Sequence, residues 1–300
     1  MTRRILLVAH PTRPEVVEIA RGVVARLTAA GIEVALAKDE AAAFASIDIG
    51  PVVAADPSEA TNGCELVCVL GGDGTILRGA EHARGTQAPL LGVNLGHVGF
   101  LAEAECEDVG ATVDHIVQRS YLVEERMTLD VVVHHDGRRV ESSWALNEVS
   151  VEKAARERMI EVTVEIDGRP LSTWGCDGVL VATPTGSTAY AFSAGGPVIW
   201  PDVEAILMVP NSAHALFARP VVVGPRSRLA VEVIRGTQGH GVMWCDGRRQ
   251  VDLPPGARIE VCRSDTSVRL ARLNASPFTD RLVAKFDLSV AGWRGNGRDR

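Results

Sequence analysis

The chain has 300 residues, of which 46% are apolar, enough to bury one large core or two moderate ones. Its formal net charge is −7 and it carries no dense Lys/Arg run, which argues against nucleic acid or an anionic membrane as the main partner. Any phosphate ligand must then be held by local amides and a few placed arginines.

The opening run Met1–Ala9 has the beginnings of a signal peptide, but its apolar part is short and Pro11, Arg13 and Glu15 follow at once. Arg4 to Ala9 reads instead as a buried strand. Pro14 to Ala30 reads as a helix, because Val16, Ala20, Val23, Val24 and Leu27 recur at helical spacing and Gly31 stands where a C-terminal stop belongs. Ile32 to Ala37 is a second strand and Leu66 to Leu70 a third.

Directly after Leu70 comes Gly71-Gly72-Asp73-Gly74-Thr75, followed by the helix-like Ile76 to His82. A strand, a glycine turn and a helix start form an anion site, since first-turn amides lack intrahelical partners and glycine lets an anion come close. Asp73 is the odd member. Phosphates repel a carboxylate, so its task is to handle a proton or a metal ion. The competing reading is a plain hairpin turn, and three further Asp-Gly pairs followed by Arg (Asp136-Gly137, Asp167-Gly168, Asp246-Gly247) have that character. The loop is neither a Walker motif nor a dinucleotide fingerprint, because Gly-Lys-Ser/Thr and the third glycine are both missing.

Pro89 to Asn94 is a fourth strand, followed by Gly96, Gly99 and Phe100, and helical spacing returns from Val109 to Val117. Such alternation predicts a parallel sheet with flanking helices, whose ligands sit beyond the carboxyl ends of its strands. After about Tyr121 the pattern becomes β. Leu129, Val131 and Val133, then Val162, Val164 and Ile166, then Leu229, Val231 and Val233 alternate with polar residues, and Val242 to Asp246 is a further β run. Pro277 to Leu288 is amphipathic. The fold class is therefore α/β: an N-terminal Rossmann-like parallel-sheet domain over 1–120 carrying the glycine loop, and a C-terminal β-rich, β-sandwich-like domain over 121–275. Residues 276–290 return to the first domain, and the polar tail 291–300 reads as disordered.

Three more constellations stand out. Thr183 to Pro197 gathers hydroxyls at Thr183, Thr185, Ser187, Thr188 and Ser193 around Gly186, and Tyr190 offers a ring to a planar base; an ordinary capped polar loop has the same composition. Asn147-Glu148 interrupts an apolar strand, so either both find partners or Glu148 faces solvent on an edge strand. Asp177 is a turn residue or a ligand-facing carboxylate. Arg78 and Arg158 could each offset phosphate charge, although surface arginines are far commoner than functional ones. The six cysteines, Cys64, Cys68, Cys106, Cys176, Cys245 and Cys262, form no zinc-type spacing and fit buried, reduced thiols in a cytoplasmic protein. His10, His97 and His214 have no metal spacing.

Together these motifs resemble the bacterial NAD kinase family, the ATP- or polyphosphate-dependent enzymes that make NADP. The resemblance rests on Gly71 to Thr75, Asn94-Leu95-Gly96 with Gly99-Phe100, Leu146-Asn147-Glu148, Cys176-Asp177-Gly178, Thr183 to Pro197, and His214-Ala215-Leu216 with Arg219-Pro220. Gly-Gly-Asp-Gly alone is shared with lipid kinases and phosphofructokinases. The Asn-Glu pair and the hydroxyl-rich segment are much more specific. The resemblance implies that Asp73 is the general base toward the 2′-hydroxyl of the adenosine ribose of NAD. Gly74 and Arg78 would line the same site, Asn147 and Glu148 would bind the dinucleotide, and Arg158 and Asp177 would add polar contacts. Thr188, Ala189, Tyr190 and Ser193 would hold NAD, in a homo-oligomer that is a tetramer or dimer. A divalent ion such as magnesium would arrive with ATP, with no protein metal cage. Arg248 stands where several relatives carry Gln, and His97 at a position that varies, so neither receives a role. A lipid or sugar kinase using the same loop, and a non-catalytic dinucleotide sensor, are the rival readings.

Overall fold

The computed structural model describes residues 2–11, 14–95, 99–102, 104–105, 109–155, 158–236, 239–273 and 277–290. These fall into two compact units, one within Met1–Glu125 and Val268–Arg300, the other within Arg126–Ser267. His97 and the tail 291–300 lie outside the described residues.

The first unit is built on an eight-stranded sheet. In spatial order it runs Val53–Ala55, Glu33–Ala37, Arg4–Ala9, Leu66–Leu70, Leu90–Asn94, Val268–Arg272 and Leu122–Arg126, with Ala104–Glu105 beside Leu90–Asn94. The strands from Val53–Ala55 to Val268–Arg272 pair in parallel. Arg4–Ala9, Leu66–Leu70 and Leu90–Asn94 are almost wholly buried and almost wholly apolar, as parallel strands covered on both faces must be. Helix Pro14–Ala29 lays Val16, Ala20, Val23, Val24 and Leu27 on this core, and the chain then leaves it through Gly31 at φ +75°. After Arg4–Ala9 the chain builds to one side, then returns to place Leu66–Leu70 on the other. That reversal is a topological switch point, where α/β sheets bind their ligands.

The second unit is antiparallel throughout and has two six-stranded sheets. One runs Val221–Val223, Ile206–Asn211, Gly178–Ala182, Glu148–Lys153, Gly241–Cys245 and Arg249–Leu253. The other runs Arg169–Cys176, Ile160–Ile166, Leu229–Val233, Arg258–Arg263, Leu129–His135 and Arg138–Ala145. Alternate residues of both, among them Leu129, Val131, Val133, Val149, Val151, Val162, Val164, Val231 and Met243, meet in one apolar core around the fully buried Trp174. This is a β-sandwich. The alternation reads correctly because each strand buries one face.

The three hairpin Asp-Gly pairs have positive φ at both residues: +49° and +72° at 136–137, +52° and +73° at 167–168, +55° and +63° at 246–247. That pattern matches the twist of the flanking strands. Asp73-Gly74 is different, because Asp73 is the first residue of helix Asp73–Ala83. The hairpin alternative for Gly71 to Thr75 is thereby removed. Among the described cysteines all five are free thiols, and burial pushes Cys68 and Cys176 up to about 12. No helix of the described residues is long and apolar enough to cross a membrane.

Candidate active site

The glycine loop leaves Leu66–Leu70 at the switch point and starts helix Asp73–Ala83. Its N-cap is Gly72, which has no side chain to satisfy the first-turn amides, and that is the state an anion requires. Asp73 is half-buried. Its two carboxylate oxygens accept the N–H groups of Phe100 (3.4 Å) and Leu101 (3.3 Å). The chain passes close enough for this only because residue 99 is glycine: a Cβ there would lie 2.4 Å from Asp73 Oδ1.

Arg78 lies one turn further on, but its guanidinium is engaged. Nη2 is 3.0 Å from Glu40 Oε1 and donates to the Ala9 carbonyl at 3.3 Å. Glu40 belongs to the short helix Lys38–Ala43 and is only 3% exposed. Burial pushes its carboxyl up to about 7 against the pull of Arg78. Nothing local in Lys38-Asp39-Glu40 announces this residue. It becomes visible only when the fold brings strand end, helix and loop together.

In the second unit the Asn-Glu pair opens a central strand, not an edge strand, so the solvent-facing alternative for Glu148 does not hold. Asn147 is 8% and Glu148 7% exposed. Asp246 explains the local backbone. Its carboxylate accepts the N–H of Leu146 (3.0 Å) and of Asn147 (2.7 Å), while its own N–H donates to the Glu148 carbonyl. Arg249 pairs with Asp246 at 2.8 Å and stacks over Trp144 at 4.4 Å. Asp246 is thus both a hairpin residue and a latch on the Asn-Glu strand. The sequence showed only the first role.

Thr183 ties the hydroxyl-rich segment to the same strand. Its N–H donates to the Asn147 carbonyl, its hydroxyl donates to the Leu146 carbonyl, and that hydroxyl accepts from Gly186 N–H. The chain then forms a 3₁₀ turn, Thr185–Thr188, and a one-turn helix, Tyr190–Ser193. Ser187 is buried and bonded to Pro184 and Ile199. Thr188, Ala189 and Tyr190 are half-buried and Ser193 is exposed. The Tyr190 hydroxyl accepts from Asn211 Nδ2 at 3.2 Å.

Burial, and next the Asp246 charge, push the Glu148 carboxyl up to about 8, while the Tyr190 amide draws it down. Its Oε2 is buried with no hydrogen-bond partner among the described residues. Asp246 is also raised, by burial first. Asp177 is paired with Lys153 at 2.6 Å, which holds its carboxyl below the usual range. Lys153 stands on the strand that Glu148 begins, and its role was not legible beforehand. Arg158 is exposed in the turn before Ile160–Ile166, and His214 donates its N–H to the Gly175 carbonyl.

A stability test follows from Glu148. Its folded value of about 8 lies above the ordinary 4.5. Its contribution is therefore complete below about pH 4.5 and lost as pH rises through about 8, where a buried carboxylate must carry charge. Glu148→Gln keeps the shape without the charge. Its melting temperature should match the parent near pH 4 and exceed it near pH 9 by an amount worth a few kcal/mol. Parallel melting curves for the two proteins at both pH values would show that Glu148 is not buried and charged.

Residues 5–121 match the ATP-NAD kinase N-terminal domain and residues 146–273 the ATP-NAD kinase C-terminal domain. Among curated relatives, NAD kinase 2 of Streptomyces avermitilis is 59% identical over 98% of this chain and 97% of its own length. NAD kinase of Thermobifida fusca is 58% identical over 99% and 93%. Among solved structures, an NAD kinase from Archaeoglobus fulgidus in complex with ATP aligns with a TM-score of 0.73 and 26% identity, covering 96% of this chain and all of that one. Yeast NADH kinase complexed with NADH aligns with a TM-score of 0.87 over 96% and 88%, at 22% identity, a likeness of fold. The chain belongs to the NAD kinase family. The lipid- and sugar-kinase readings have no place beside matches that span both domains.

Proposed function

We propose that this chain, an NAD kinase by family, transfers the terminal phosphoryl group of ATP to the 2′-hydroxyl of the adenosine ribose of NAD, giving NADP, with Asp73 as the base. The observation that carries the reading is Asp73 itself. It is a carboxylate at a helix start, at the switch point of a parallel sheet, with each oxygen fixed by one amide. The 2′-oxygen forms a bond to the terminal phosphorus while the bond from that phosphorus to the bridging oxygen of ADP breaks. Asp73 takes the hydroxyl proton. Such a transfer needs alignment and charge stabilisation more than covalent help.

Around Asp73, Gly74 and the first-turn amides take phosphate oxygens, and Arg78 lends charge while anchored by Glu40. Asn147 and Glu148 bind ribose hydroxyls or the adenine amino group, and Tyr190 stacks on a base. Thr188, Ala189 and Ser193 complete the dinucleotide contacts, with Arg158 and the Lys153–Asp177 pair adding polar ones. Amide donors at the loop suit triphosphate oxygens, so a magnesium ion held by phosphate and water fits, and it would neutralise charge on the transferred group. Free cysteine thiols support a cytoplasmic setting. The exposed Leu216, Phe217 and Val222, the last on an edge strand, support a homo-oligomer, dimer or tetramer.

The test is NADP formation from NAD, read through an NADP-specific dehydrogenase, with magnesium-ATP and separately with inorganic polyphosphate as donor. NADP formed with ATP is the expected result, and turnover with polyphosphate would add that donor. No NADP with either donor would refute the reading.

A further inference from the structure

The C-terminal helix Phe278–Phe286 has no residue wholly buried, yet it touches the segment that holds Asp73. The Phe100 ring lies 5.8 Å from the rings of both Phe278 and Phe286. Between those rings in sequence, Arg281 Nη1 donates to the carbonyls of Phe100 (3.4 Å) and Ala102 (3.1 Å). The peptide group joining Phe100 to Leu101 is therefore engaged at both ends. Its carbonyl meets the Arg281 cation, and its N–H donates to Asp73 Oδ1 at 3.3 Å. A cation on a carbonyl polarises the peptide and makes its N–H a better donor, since hydrogen bonds in a chain reinforce one another.

We propose that Arg281 is a positioning residue for Asp73, acting through the Phe100–Leu101 peptide, with Phe278 and Phe286 clamping the same segment. The inference rests on Asp73 being the base. Arg281 acts on the backbone carbonyls of Phe100 and Ala102. It fixes the height and orientation of the amides that aim the carboxylate, and a base displaced by a fraction of an ångström loses rate more than affinity.

The experiment is a double-mutant cycle on the full chain, in the NADP-forming assay, with Arg281→Ala, Asp73→Asn and the double variant. Arg281→Ala should lower kcat by about 10-fold, leave both KM values within about twofold, and speed hydrogen exchange of peptides covering residues 99–102. In the Asp73→Asn background it should cost nothing further, because there is no base left to aim. Arg281→Lys, which keeps the charge but loses the planar guanidinium fork, should fall between and carries the comparison if the alanine variant does not fold. An unchanged kcat, unchanged exchange at 99–102, or an equal loss in both backgrounds would overturn the proposal. Near-normal turnover by Asp73→Asn alone would instead overturn the base assignment.

Discussion

Asp73→Asn is expected to bind NAD with close to parental affinity and to lose about 10²- to 10⁴-fold in kcat, the range for removing a placed general base. The amide side chain has the same shape, and its oxygen can still accept one of the two N–H groups from Phe100 and Leu101. Helix start and loop therefore stay as they are. What disappears is a site that can accept the hydroxyl proton. Isothermal titration with NAD and the coupled assay separate the two effects. A loss of affinity without loss of kcat would make Asp73 a binding group, and near-normal turnover would overturn the base assignment.

Gly186→Ala should damage fold and site together. A Cβ at 186 would lie 2.0 Å from the Asn147 carbonyl oxygen, 2.3 Å from its carbon and 2.7 Å from its Cα. All three are backbone atoms of the residue that leads into the central strand Glu148–Lys153, and they have no rotamer to escape into. Either that strand or the hydroxyl-rich turn must shift, breaking the Thr183 hydrogen bonds that join them. Overpacking of this kind costs about 3 kcal/mol or more, or roughly 10 °C in melting temperature for a unit of this size. NAD affinity should fall in whatever fraction stays folded. Gly224→Ala, where nothing lies within 4 Å of the added methyl, is the control and should be close to neutral. Parental stability and affinity in Gly186→Ala would show that the two segments do not touch.

Much of the architecture could be read from local pattern. Val16, Ala20, Val23, Val24 and Leu27 form one helix face and all are buried. Leu129, Val131 and Val133 point to one side of a strand and all are buried. Such elements are legible because period and burial agree. Strand Val268–Arg272 is less so. Its buried Val268 and Leu270 alternate like those of the preceding β strands, and only its parallel pairing with Leu90 shows which sheet it joins.

The candidate segments were legible where glycine and hydroxyl residues signal unusual backbone, at Gly71 to Thr75 in the first unit and Thr183 to Ser193 in the second. The side chains that hold each segment in place were not. Glu40 reaches Arg78 across 38 positions, Asp246 reaches Asn147 across 99, and Arg281 reaches Phe100 across 181. Each is an ordinary charged residue until the fold closes. Arg78 is a mixed case: its charge is plain in the sequence, but the buried Glu40 carboxyl that anchors it is not.

The most direct measurement is a crystal structure of Asp73→Asn with NAD bound. The side chain of residue 73 should lie at hydrogen-bond distance, about 3 Å, from the 2′-oxygen of the adenosine ribose. A 2′-oxygen beyond reach of residue 73, with another side chain in contact with it, would rule out Asp73 as the base.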